Sequence, residues 1–216
     1  MTKTVTRLFD DYADAEAAVA ELERMGVPSR DVSLVAHNRD GVHDERVAKS
    51  GKPDTAGEEA AEDAGKGAGI GGLVGGAGGL LAGLGLLAIP GLGPVVAAGW
   101  LASTAVGAVA GAVVGGAGGG LIGALTHAGV RREDAEVYAE GVRRGGTLVS
   151  VKVDDDRETA VRAVLDRLRG ADASTRGLAY REGGWAQYQA DAEPYTAEEA
   201  EAERQRYRSP QSEARF

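Results

Sequence analysis

The chain has 216 residues, a formal net charge of −9 and no cysteine. The acidic balance argues against a nucleic-acid binder, which needs a basic footprint to displace counterions; the lack of cysteine excludes disulfides, thiolate metal sites and a thiol nucleophile. The length allows one or two domains, and MTKTVTRLFDDYADAE carries no apolar stretch of signal-peptide length, so no cleaved secretion signal is expected.

Residues 1–36 read as strand, helix, strand. KTVTRLF has the β-branched and aromatic residues of a strand. DYADAEAAVAELERMG places Ala15, Ala18, Val19, Leu22 and Met25 on one helical face, with Gly26 as its C-cap, and DVSLVA (31–36) is a second strand. Residues 37–66 are polar and acidic and read as a linker, with helical character near Glu58–Ala64.

From Gly67 to Thr126 there is no Asp, Glu, Lys or Arg. Two glycine ladders run through this block at a spacing of four: Gly67, Gly71, Gly75, Gly79, Gly83, and Gly107, Gly111, Gly115, Gly119, Gly123. Residues 67–89 hold ten glycines, which in a helix cost on the order of 10 kcal/mol of propensity relative to alanine. Stacked on one helix face, the glycines let a second backbone approach closely, the packing mode of small-xxx-small membrane helices. Pro90, Gly91, Gly93 and Pro94 mark a turn between the arms.

The block therefore predicts a glycine-zipper helical hairpin, each arm long enough to cross about 30 Å of hydrocarbon. Lys66, Arg131 and Arg132 flank it, which places both termini on the cytoplasmic side of the inner membrane, with Trp100 as an interfacial aromatic. The lipid bilayer and further copies of the chain are then the expected partners. Two alternatives fit the same residues: a cytoplasmic, soluble oligomer with the ladders buried between subunits, or a flexible low-complexity segment.

Residues 127–176 resume the amphipathic pattern. RREDAEVYAEGVRR is a helix with Ala135, Tyr138 and Val142 on one face, TLVSVKV (147–153) is the clearest strand, and DRETAVRAVLDRLRG is a helix with Val161, Val164, Leu165 and Leu168 inward. ADAST reads as a last edge strand. RLFDDYADAEAAVAELERMG aligns with VKVDDDRETAVRAVLDRLRG, so the flanks predict an α+β fold: a ferredoxin-like sandwich of two βαβ halves, split by the hairpin.

Residues 177–216 form a polar tail with Tyr180, Trp185, Tyr188, Tyr195, Tyr207 and Phe216. These aromatics either dock on the chain's own domain or meet a protein partner. Thr196 and Glu199 form a capping box at the start of a short helix.

Few residues suggest chemistry. GAGIGG (67–72) matches the glycine pattern of a dinucleotide loop, but belongs to the longer ladder. His37, Asp40, His43 and Asp44 cluster in the linker and read as solvated rather than as metal ligands; His127 reads as an ordinary helix end. Asp10/Asp11 and Asp154/Asp155/Asp156 fall where acids cap helix N-termini, and Ser33 and Ser150 have no visible base. A non-enzymatic protein with no cofactor and no metal is expected. A small-ligand regulator using the sheet is a third possibility.

LFDDYADAEAAVAELERMGVPSRDVSLVA and, more specifically, EDAEVYAEGVRRGGTLVSVKV resemble the heat-induced, YflT-type general stress proteins of bacteria. The resemblance covers residues 3–36 and 129–176. It implies a stress-response protein with an α/β sandwich and brings no catalytic residues. The long glycine-rich insertion departs from the short family domain.

Overall fold

The computed structural model describes residues 2–38, 43, 85–89, 92–102 and 120–208. The elements run β1 (Thr2–Phe9), α1 (Tyr12–Arg24), a 3₁₀ turn (Ser29–Asp31), β2 (Val32–His37), β3 (Gly85–Ile89), β4 (Gly93–Gly99), α2 (Leu121–His127), α3 (Arg132–Arg143), β5 (Thr147–Asp154), α4 (Asp155–Arg167), α5 (Ala173–Glu182) and α6 (Ala197–Arg208). The fold is α+β.

One antiparallel sheet, in the order β1-β5-β2-β4-β3, organises the chain. β1 pairs along its whole length with β5, from Thr2↔Asp154 to Phe9↔Thr147. β5 also pairs with β2, in the register Val32↔Val151. The expected last edge strand is reduced to one bridge: Leu8 and Ala171 exchange both backbone hydrogen bonds, at 2.9 and 2.8 Å. α5 then begins, because Asp172 caps it by accepting from the Thr175 N–H at 2.7 Å.

Strand alternation sends side chains to two separate cores. Val5, Phe9, Leu34, Val149 and Val151 meet the apolar faces of α1 and α4, including Ala18, Leu22, Val161 and Leu165. Leu8, Val35, Val95 and Leu148 point the other way, into α2, α3 and α5. Burial on both sides explains why β2 reads as a nearly continuous apolar run. At the centre of the second face Ser150 and Thr6 share a hydrogen bond at 2.6 Å, and Ser33 donates to the Ala98 carbonyl and accepts from the Leu101 N–H. Both serines hold structure.

The expected membrane hairpin is corrected here. Residues 85–89, assigned to the first arm, and 93–99, assigned to the turn and the second arm, are paired strands, in register from Gly85↔Ala97 to Ile89↔Gly93. Gly93 and Pro94 open β4 rather than belonging wholly to the turn. Gly123 lies in α2, which has seven residues and spans only about 10 Å. Among the described residues no helix is long and apolar enough to cross a membrane, which overturns the integral inner-membrane location. Trp100 sits beside Lys152, whose ammonium lies 4.2 Å from the indole ring, rather than in an interface. The physical reason is that LLAI and VVAA are short apolar runs beside turn residues, a pattern periodicity cannot assign, and β2 offers them an edge to pair with. The other ladder glycines, Gly67, Gly71, Gly75, Gly79, Gly83, Gly107, Gly111, Gly115 and Gly119, and Pro90 and Gly91, lie outside the described residues.

Candidate functional site: a buried charge cluster under the C-terminal tail

The densest polar constellation among the described residues joins α3, the β1–α1 turn, α5 and α6. α3 is amphipathic, yet its flank away from the sheet is covered as well, and Glu140 ends only 1% exposed. A carboxylate this deep must be ion-paired and hydrogen-bonded. Arg143, three residues on, provides a fork: Nε to Oε2 at 2.8 Å and Nη2 to Oε1 at 2.6 Å. Arg144, four residues on, adds Nε to Oε1 at 2.7 Å. Burial works to raise the Glu140 carboxyl's pKa, but the two guanidiniums outweigh it and hold it below the usual carboxylate value.

Arg144 reaches onward to the tail. Its Nη1 donates to Glu203 Oε1 at 2.9 Å, and its guanidinium lies 4.1 Å from the Tyr180 ring centroid. Tyr207 Oη also donates to Glu203 Oε1, at 3.1 Å. Burial disfavours the Arg144 charge, yet Glu140 and Glu203 reverse this and raise its pKa above the ordinary value. On α5, Arg176 is buried, donates from Nη2 to Asp10 Oδ2 at 2.8 Å and stacks 3.8 Å from the Tyr207 ring centroid. Burial lifts the Asp10 carboxyl above its ordinary value despite Arg176. Arg208 pairs with Asp11.

Asp10 and Asp11 therefore serve the tail rather than the first turn of α1. Asp11 is the N-cap residue, but its side chain makes no capping bond; nor does that of Asp154, the cap of α4. The tail aromatics fall into place with these charges: Tyr180 is buried, and Trp185, Tyr188 and Tyr207 pack on the core of the second sheet face. The expected capping box is present, with Thr196 N–H to Glu199 Oε2 at 2.8 Å and Glu199 N–H to Thr196 Oγ1 at 3.2 Å.

Asp10, Gly141, Arg144, Gly145, Tyr180 and Glu203 help line a cleft whose free volume is about 10 Å³, room for about one water. The guanidiniums of Arg143, Arg144 and Arg176 are matched by the carboxylates of Asp10, Glu140 and Glu203. Each carboxylate is held against a guanidinium, so the arrangement balances its buried charges.

Of the four linker residues, His37 and His43 are described. His37 ends β2, and His43 stacks on Tyr12 with ring centroids 4.2 Å apart; Asp40, Asp44 and the GAGIGG stretch lie outside the described residues. Among the described residues no group of three or more His, Asp or Glu is placed to hold a metal. Sequence reasoning missed Glu140, Arg143, Arg144, Arg176 and Glu203. For Glu140, Arg143 and Arg144 the one signal was Glu-to-Arg spacing of three and four, which solvated helix faces share, while Arg176 and Glu203 meet Asp10 and Arg144 only through the fold. No protein-family model matches this chain, and no match was found among curated proteins or solved structures.

Proposed function

We propose that this chain is a non-enzymatic, self-associating stress-response protein of the bacterial YflT type: a ferredoxin-like scaffold carrying a glycine-rich assembly segment. The strand order supports the ferredoxin-like reading. With Ala171 counted as a vestigial strand, β1-α1-β2 and β5-α4-Ala171 interleave as Ala171-β1-β5-β2, with α1 and α4 on one face. β3 and β4 extend the β2 edge.

The observation that carries self-association is the surplus of glycine. Both sheet faces are already covered by described helices, while every ladder glycine except Gly123 belongs to residues 67–84 and 103–119. A chain retains so much poor helix former when close backbone approach returns the cost. Here the expected partner for that approach is another copy. The matched charges of the buried cluster support a scaffold role over a catalytic one.

Light scattering of the full chain in detergent-free buffer tests this. A particle of several subunits, reduced in size by Gly111→Leu with Gly115→Leu, is the expected result; a monomeric wild-type chain contradicts it. The stress role predicts higher abundance after heat or osmotic challenge, and constant abundance counts against it.

A further inference from the structure

α6 is fastened chiefly by charged and aromatic side chains. It buries only Ala200 and Glu203, and its remaining anchors are Tyr207 on Arg176 and Arg208 on Asp11. Residues 183–196 connect it to α5, starting at Gly183 and Gly184, the latter at φ 87°. Arg208–Asp11 is an exposed pair that contributes little, so the buried Glu203–Arg144 pair is the main polar contact that detachment breaks.

Detachment would remove Glu203 and uncover a site. Arg143, Arg144 and Arg176 would then face only Glu140 and Asp10, leaving one positive charge unmatched beside the Tyr180 ring. A second observation points the same way. Arg176 is 4% exposed, and its Nη1 has no hydrogen-bond partner among the described residues. Glu203 answers Arg144 and leaves that donor unmet. A buried donor without an acceptor is costly, so an occupant that reaches both arginines gains what Glu203 cannot.

We propose that Arg144, Arg176 and Tyr180 form a carboxylate-binding site, that Glu203 is its internal occupant, and that α6 is a latch displaced by a small carboxylate ligand. One unmatched positive charge suits one carboxylate group; the second carboxylate of a molecule such as succinate stays in solvent, whereas both charges of a phosphate dianion sit on one buried group. The cleft holds about one water while Glu203 is in place, so ligand entry and latch release are the same event. The site does not depend on the glycine-rich segments.

The test uses the full chain and two readouts. Trypsin cuts after Arg204, Arg206 and Arg208, residues of α6 itself. Succinate, against sodium chloride of equal ionic strength, should speed cleavage at these sites at least about threefold. In Glu203→Ala the internal competitor is gone, and succinate should bind about tenfold more tightly than to the wild-type chain, by calorimetry. Adding Arg144→Met should abolish that binding and make tail cleavage fast with or without succinate. Equal acceleration by chloride overturns the proposal, as does phosphate acting more strongly than succinate, or Glu203→Ala binding no more tightly. The wild-type cleavage comparison decides the matter alone if the variant fails to fold. A glycine-ladder variant should leave the succinate effect intact, which separates this proposal from self-association.

Discussion

Arg144 stacks on Tyr180 at 4.1 Å while its Nε donates to Glu140 at 2.7 Å. One guanidinium thus ties α3 to α5 through an aromatic face and, through Glu203, to α6. Glu140 is the anchor of this arrangement, because it also holds Arg143. Glu140→Ala leaves two largely buried guanidiniums without their main partner and should cost about 3–5 kcal/mol. A urea titration should show a lower midpoint at an unchanged slope.

The same cluster sets opposing acid responses. Glu140's depressed folded pKa contributes stability that is present above the unfolded carboxylate value, about 4.3, and lost as pH falls through the folded one. Asp10 runs the other way: burial raises its folded pKa, so its contribution is present at low pH and lost as pH rises through that value. Glu140→Gln should therefore flatten the loss of stability below pH 4.5, and Asp10→Asn should steepen it. Urea midpoints at pH 7 and pH 4 measure both.

Tyr138 joins three elements with one hydroxyl. It donates to the Thr6 carbonyl at 2.8 Å and accepts from the Ala173 N–H at 3.1 Å. Tyr138→Phe leaves the Ala173 N–H unmet, while the Thr6 carbonyl keeps Arg7 Nη1 as a donor, and should cost about 1–3 kcal/mol, with faster amide exchange at Ala173. Burial pushes the Tyr138 pKa up to about 12. Its contribution is complete below the unfolded value of about 10 and lost as pH rises through about 12. The variant should lack that part of the alkaline transition.

Two glycines separate crowding from backbone strain. A Cβ at Gly170 would lie 2.8 Å from the Leu165 carbonyl and 2.9 Å from the Phe9 ring, so Gly170→Ala should cost about 1–3 kcal/mol. Gly26 has φ 77° and open space around it, so Gly26→Ala should cost only about 1 kcal/mol, from the left-handed backbone. Thermal melting of the pair should rank Gly170→Ala lower.

Thr196→Ala removes the capping box of α6 and should cost about 1 kcal/mol locally. Because α6 buries so little, the loss should appear as faster tail proteolysis with little change in global unfolding.

Much of the fold was legible. The apolar spacing of α1 and α4, the alternation of Val149, Val151 and Val153, and the Thr196–Glu199 box are local patterns set by helix and strand geometry, so the sequence displayed them directly. The repeat of the two flanks also foreshadowed which strands and helices share a face. LLAI and VVAA were misassigned because a short uncharged run carries no period, and its structure depends on whether an edge such as β2 is available. Glu140 and Arg176 resembled ordinary solvated charges, since nothing within their own helices says that a tail will cover them. Elements whose reason lies within one turn or one strand are readable from residue order. Which charges are buried is not, because burial depends on what packs from elsewhere in the chain.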